Sequence, residues 1–154
     1  MLDATKYGTT SLMSPTMDQW QGPALCVYNN AVFSARDFAN VARIGQGSKL
    51  DKLSSTGRFG LGFNAVYHFS DVPSFVSGDS VVFLDPHGIY VPSADGSGAP
   101  APESGASSGG GLKINITNTV VPLDRQFPDQ FAPYKALGCD FSQGLFKGTQ
   151  VCMR

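Results

Sequence analysis

The feature that most constrains this chain is a cluster of glycines placed directly before an amphipathic helix. The glycines are Gly57, Gly60 and Gly62. Apolar residues follow at helical spacing from Leu61 to Phe69, so a helix is predicted to begin inside the cluster. Glycine lets a backbone approach a ligand closely, and a helix N-terminus presents free N–H groups to an anion. The cluster therefore predicts a turn that holds nucleotide phosphates, with a turn that binds no ligand as the alternative.

Two better-known glycine motifs need residues or a context that this cluster lacks. A P-loop ends in Gly-Lys-Ser/Thr, whereas Gly62 is followed by Phe63 and Asn64, so that motif is excluded. Residues 60–65 do fit the dinucleotide pattern G-x-G-x-x-A, but a polar segment precedes them where that fold needs a buried strand. A dinucleotide-binding enzyme is therefore the least favoured of the alternatives.

Composition excludes several classes of protein. The chain has 154 residues, 15% of them charged, with a net charge of -1, which argues against nucleic acid as a partner. No run approaches the roughly 18 apolar residues of a transmembrane helix, so no membrane association is predicted. Cys26, Cys139 and Cys152 have neither disulfide-framework nor zinc-site spacing, so we expect no metal site and a reducing, cytoplasmic location.

The pattern of apolar residues and breakers predicts a single α+β domain over residues 1–154. Strands are predicted at 24–28, 75–76, 81–84, 89–91, 112–121 and 148–153. Helices are predicted after a capping box at Ser34 and Asp37 and from Leu61. Residues 45–57 have the composition of a mobile lid, and residues 93–111 that of a disordered low-complexity insertion. We expect a two-layer sandwich, with a mostly antiparallel sheet and helices on one face.

The glycine turn and its surroundings resemble a known superfamily. The predicted order is a strand, a helix and a lid before the turn, and a closing strand that begins at Gly148-Thr149. This order resembles the Bergerat fold of the gyrase, heat-shock-chaperone, histidine-kinase and mismatch-repair (GHKL) ATPases. More narrowly, four stretches resemble the chaperone-like ATPase domain of the sacsin family. They are residues 14–24, 28–33, 43–49 and 129–133. The resemblance implies a Bergerat fold that is incomplete at its N-terminus, binding ATP or ADP with magnesium.

The resemblance also implies which residues contact the nucleotide. Asn29 stands where the superfamily has an aspartate against the adenine amino group, and Ala31 and Phe33 stand where it has glycines. An amide still accepts from an amino group but without charge assistance, a difference of about 1 kcal/mol. Phe33 is large enough to fill the pocket. The implied contact set is Asn29, Asn30, Ala31, Gly45, Gly47, Ser48, Lys49, Gly57, Arg58, Phe59, Gly60, Leu61, Gly62, Phe63 and Thr149.

Two members of this set have plain structural alternatives. Lys49 is implied as a phosphate contact, but a solvated lysine on a flexible loop has the same local sequence. Thr149 is implied as a hydroxyl that reaches the base, but a turn into a closing strand explains Gly148 and Thr149 equally well. Both alternatives stay open from the sequence.

The resemblance does not extend to the residues that hydrolyse ATP in this superfamily. GHKL ATPases carry a general-base glutamate and a magnesium-ligating asparagine on an N-terminal helix, and this sequence begins after that helix. Its only glutamate is Glu103, inside the low-complexity segment, so no catalytic residue is predicted. We expect a nucleotide-binding chaperone module with client or co-chaperone proteins as partners. The alternative is a degenerate scaffold that binds proteins and no nucleotide.

Overall fold

A computed structural model describes residues 1–41, 61–91 and 111–154. A six-stranded sheet in the order β1-β2-β6-β3-β4-β5 forms the centre, and every described strand pair is antiparallel. The strands are β1 (Leu2–Asp3), β2 (Ala24–Asn29), β3 (Ser74–Gly78), β4 (Ser80–Leu84), β5 (Gly111–Asn115) and β6 (Phe146–Met153). The predicted α+β class and antiparallel sheet are confirmed.

Short helices connect and cover the strands. The α-helices are α1 (Ala35–Val41), α2 (Leu61–Asn64), α3 (Val121–Gln126) and α4 (Pro128–Ala136). The described ranges also contain three 3-10 helices (Pro15–Trp20, Ala65–His68 and Phe141–Gln143) and one π-helix (Ile116–Val120). None of the helices in the described ranges is both long and apolar enough to cross a membrane.

The capping box predicted at the start of α1 is confirmed. The Asp37 carboxylate accepts hydrogen bonds from the Ser34 backbone N–H at 2.9 Å and the Ser34 hydroxyl at 2.7 Å. The Ser34 hydroxyl in turn accepts from the Asp37 backbone N–H at 3.3 Å. These bonds satisfy N–H groups that have no partner inside the helix, which fixes where α1 begins.

The sheet is covered on both faces. Phe75 and Val82 lie on one face, which we call the site face, and Val76 and Val81 lie on the opposite face. Side chains of α1 and α2 pack on the site face, and side chains of α4 pack on the opposite face. This differs from the expected single helical layer, because every residue of β3 and β4 is buried and both faces therefore need cover.

The strand predicted at residues 89–91 is wrong. The buried carboxylate of Asp85 accepts hydrogen bonds from the backbone N–H groups of Tyr90, at 2.7 Å, and Val91, at 2.9 Å. Backbone donors that are satisfied by a side chain have no need of a neighbouring strand. The segment after β4 therefore folds back as a loop around Asp85.

The strand predicted at residues 112–121 is half as long as expected. It runs over β5 and changes into the π-helix at Ile116, where the Asn115 side chain accepts from the Asn118 backbone N–H at 3.1 Å. Asparagine caps compete with strand hydrogen bonding, which explains the early end. Residues 93–110 of the predicted insertion lie outside the described residues, and Gly111 belongs to β5.

Candidate functional site

Strands β2 and β6 bring together the two segments that the nucleotide resemblance singles out. Asn29 at the end of β2 is the direct cross-strand partner of Thr149 in β6. Thr149 also pairs with Ser77 in β3, so the three residues form a row across the sheet. Because directly paired residues point to the same face, Asn29, Thr149 and Ser77 all belong to the site face.

The Thr149 hydroxyl holds the turn that follows β2. It is buried, donates a hydrogen bond to the Ala31 carbonyl at 2.8 Å, and lies 2.7 Å from the Ser77 hydroxyl. The Ser77 hydroxyl accepts from the Phe33 backbone N–H at 2.8 Å. Two neighbouring strands thus fix the backbone of Ala31 and Phe33 through their hydroxyls. Ser77 was not predicted as a site residue.

Asn29 shapes the same turn from its own side. Its side-chain oxygen accepts from the Ala31 backbone N–H at 2.9 Å, which is the local bond that asparagine commonly makes in turns. Both Asn29 and Asn30 are exposed to solvent. A carbonyl oxygen has two lone pairs, so the Asn29 amide retains acceptor capacity for a ligand.

Replacing Thr149 by valine tests whether its hydroxyl holds the turn after β2. Valine keeps the shape but removes the hydroxyl, which breaks the hydrogen bond to the Ala31 carbonyl and takes one hydrogen-bond partner from the buried Ser77 hydroxyl. We expect the free energy of unfolding to fall by about 1–3 kcal/mol in urea denaturation. Thr149→Ser keeps the hydroxyl and serves as the control, and it should retain most of the stability. Equal losses in the two variants would contradict the role of the hydroxyl.

An aromatic cluster covers the site face beside this turn. The ring of Phe75 in β3 lies 5.1 Å from Phe33, 5.9 Å from Phe63 and 6.1 Å from Phe38, measured between centroids. The Lys113 ammonium lies 3.9 Å from the centroid of the Phe38 ring, within cation–π range. Phe33, which the sequence identified as large enough to fill the pocket, is half-buried in this cluster.

Helix α2 connects the glycine turn to the same cluster. Its described residues run from Leu61 to Asn64, within the predicted helix, and the chain continues as the 3-10 helix from Ala65. Phe63 packs on Phe75, and Gly62 is exposed with no atom within 4 Å of the position that a Cβ would take. The remaining predicted contacts lie outside the described residues. They are Gly45, Gly47, Ser48, Lys49, Gly57, Arg58, Phe59 and Gly60.

The motifs at residues 14–24 and 129–133 lie away from this site. Trp20 and Phe131 pack with the core of the opposite face. The Asp129 carboxylate accepts from the Thr10 hydroxyl at 2.9 Å and from the backbone N–H groups of Thr10 and Ser11, each at 3.0 Å. These hydrogen bonds hold the pKa of Asp129 below its usual range. Both motifs therefore build the scaffold and contribute no contact to the Asn29–Thr149 row.

Metal ligands are not gathered anywhere in the described part of the chain. Across residues 1–41, 61–91 and 111–154, no group of three or more His, Cys, Asp or Glu side chains is placed to hold an ion. Magnesium in nucleotide sites is usually held by one or two carboxylates together with the substrate phosphates.

Comparison with known proteins agrees with the sequence resemblance at the level of the domain. Human Sacsin (Homo sapiens) is 51% identical to this chain over 87 residues, which are 56% of the chain and 2% of the human protein. A family model for the Sacsin domain matches residues 1–153. Because that match extends over nearly the whole sequence, the chain belongs to the Sacsin domain family.

Proposed function

We propose that this Sacsin-domain chain is a module that binds ATP or ADP with magnesium and does not hydrolyse it. The observation that carries the proposal is the direct pairing of Asn29 with Thr149 on the site face. Phe63, just after the predicted phosphate turn, packs on Phe75 of the same face. Asn29, Thr149 and Phe63, which belong to the two ends of the implied site, lie on one face of the sheet, and this supports the proposal.

The residues of the turn suggest how the base would be held. The exposed Asn29 amide would accept from the adenine amino group with its second lone pair. The Thr149 hydroxyl is already bonded to Ala31 and Ser77, so it would act as a positioning residue that holds the turn. The phosphates would lie toward the N-terminus of α2, within the residues around Gly60.

We propose binding without hydrolysis because the sequence has no glutamate in a position to act as the general base. The only glutamate is Glu103, within a segment of low complexity, so the general base of GHKL ATPases has no counterpart here. The chain spans 2% of human Sacsin, and we propose the wider role only for the complete protein. In that role, nucleotide binding would control contacts with client or co-chaperone proteins in cytoplasmic protein quality control.

Calorimetry with ADP and magnesium tests the proposal. We expect measurable heat for the unmodified chain and binding weakened by about tenfold or more in Gly60→Val, because a branched side chain keeps phosphate away from the backbone N–H groups. Gly22→Ala is the matched control, since the position of its added Cβ has no atom within 4 Å, and it should bind normally.

A gain-of-affinity variant makes the test sharper. Asn29→Asp restores a charged acceptor at the adenine position, so it should tighten ADP binding by about fivefold, the equivalent of roughly 1 kcal/mol. Absence of heat from the unmodified chain and from Asn29→Asp would reject nucleotide binding.

A second candidate is a degenerate scaffold that binds another protein through the site face. Two observations favour it. Phe33 already packs within the aromatic cluster, and the neighbouring side chains of Leu25 and Val27 are 38% and 49% exposed on the same face. Under this candidate, neither the unmodified chain nor Asn29→Asp produces heat with ADP, and the apolar strip formed by Leu25 and Val27 is the contact surface.

A further inference from the structure

Two cysteines face each other on the strand pair that carries the candidate site. Cys26 of β2 is the direct cross-strand partner of Cys152 in β6, three positions from the Asn29–Thr149 pair. Their sulfur atoms are 3.6 Å apart, and both side chains are buried. Nothing in the nucleotide proposal uses either thiol.

The position of this pair in the ladder suits a covalent bond. The Cys26 N–H donates to the Met1 carbonyl at 2.8 Å, and the Met1 amino group donates to the Cys26 carbonyl at 2.7 Å. Both backbone polar groups of Cys26 thus point toward β1, which makes Cys26 and Cys152 a non-hydrogen-bonded pair of the β2–β6 ladder. In such pairs the Cα atoms are about 4.5 Å apart, inside the range that disulfides span.

The two thiols differ in acidity. When Cys26 loses its proton, the Cys152 thiol donates a hydrogen bond to the thiolate, which outweighs burial and lowers the pKa of Cys26 to about 7. The same hydrogen bond, together with burial, raises the pKa of Cys152. Burial alone raises the pKa of the third cysteine, Cys139, to about 12. Because the thiolate is the reactive form, Cys26 is the nucleophile of the three.

We propose that Cys26 and Cys152 form a modification site at which a hydroperoxide produces an intrachain disulfide. The Cys26 thiolate attacks the terminal peroxide oxygen, the O–O bond breaks, and the released alkoxide or hydroxide takes up a proton. The Cys152 sulfur then attacks the Cys26 sulfenic acid, the S–O bond breaks, and hydroxide leaves as water with the Cys152 proton. The two electrons that reduce the peroxide come from the two sulfurs.

The disulfide would lock β2 to β6 in the register that aligns Asn29 with Thr149. This inference is independent of the proposed function, because it requires only the strand pair and the two thiols. In a reducing compartment such a bond would form under oxidative conditions and be reversed by cellular thiols.

Hydrogen peroxide and mass spectrometry test the site. The folded chain should lose two hydrogens in mass and yield a peptide linked through Cys26 and Cys152, and dithiothreitol should restore the original mass. The Cys139→Ser variant should behave in the same way, whereas Cys26→Ser and Cys152→Ser should form no intrachain link. If Cys139 is oxidised while Cys26 and Cys152 remain thiols, the proposal is wrong.

Unfolding provides a second measurement that does not depend on serine variants. Cross-linking residues that are 126 positions apart restricts the unfolded chain, so the peroxide-treated protein should unfold at a higher urea concentration. Dithiothreitol should return the midpoint to its original value. Link formation that is as fast in concentrated urea as in buffer would show that the strand geometry does not direct the reaction, which would overturn the proposal.

Discussion

Replacing Phe75 by alanine is expected to lower the free energy of unfolding by about 3–5 kcal/mol. Phe75 is 1% exposed and is the residue that the rings of Phe33, Phe38 and Phe63 all contact. Its removal leaves a cavity between the sheet and the two helices that pack on the site face. Because those rings come from the turn, α1 and α2, all three elements lose their shared contact.

Phe69→Ala is the matched control for this substitution. Phe69 follows the 3-10 helix after α2 and is 65% exposed, so the same chemical change should alter stability by less than about 0.5 kcal/mol. Urea denaturation followed by circular dichroism measures both variants. If Phe75→Ala lowered the free energy of unfolding no more than Phe69→Ala does, the aromatic cluster would not be what attaches α1 and α2 to the sheet.

Gly148→Ala is expected to lower the free energy of unfolding by about 3 kcal/mol, because alanine would introduce backbone strain and steric overlap. Gly148 has a φ angle of 148°, which side-chain-bearing residues rarely adopt. A Cβ at this position would lie 2.6 Å from the Asn29 carbonyl oxygen and 2.7 Å from the Tyr28 ring. The first of these is a backbone atom, so relief of the overlap would require β2 to move away from β6.

Gly22→Ala is the control, since a Cβ at Gly22 has no atom within 4 Å and the residue has no positive φ. Its stability in urea should be close to that of the unmodified chain. Equal stability of the Gly148→Ala and Gly22→Ala variants would show that β2 can move away from β6 without loss of stability. The close approach also explains why glycine precedes Thr149, which the sequence left open between a functional motif and a simple turn.

The fold could be predicted where the local sequence decides it. Residues 81–84 are a run of four apolar residues between turn signals, and the Ser34 and Asp37 capping box is a bond between residues three apart. The strand predicted at 89–91 failed because its backbone donors bond to the side chain of Asp85, a choice that apolar patterning does not record. Burial of both faces of β3 likewise depends on segments distant in sequence.

The candidate site could likewise be predicted only where a local sequence motif identifies its residues. The sequence resemblance identified Asn29, Ala31 and Thr149, and the structure places them together because Asn29 and Thr149 share a register position. Ser77 and Phe75 escaped prediction, since their contacts arise from the pairing of β3 with β6, which no local pattern encodes. Ser77 carries one weak signal, a small hydroxyl residue directly after the apolar pair Phe75 and Val76.

The most direct test of nucleotide binding at the Asn29–Thr149 row is an NMR titration of the chain with ADP and magnesium. We predict that the backbone amide signals of Asn29, Ala31, Phe63 and Thr149 shift together, with one dissociation constant for all of them. Signals of Trp20 and Gln130 on the opposite face should stay in place. Shifts confined to that face, or no shifts at saturating ADP, would contradict nucleotide binding at this site.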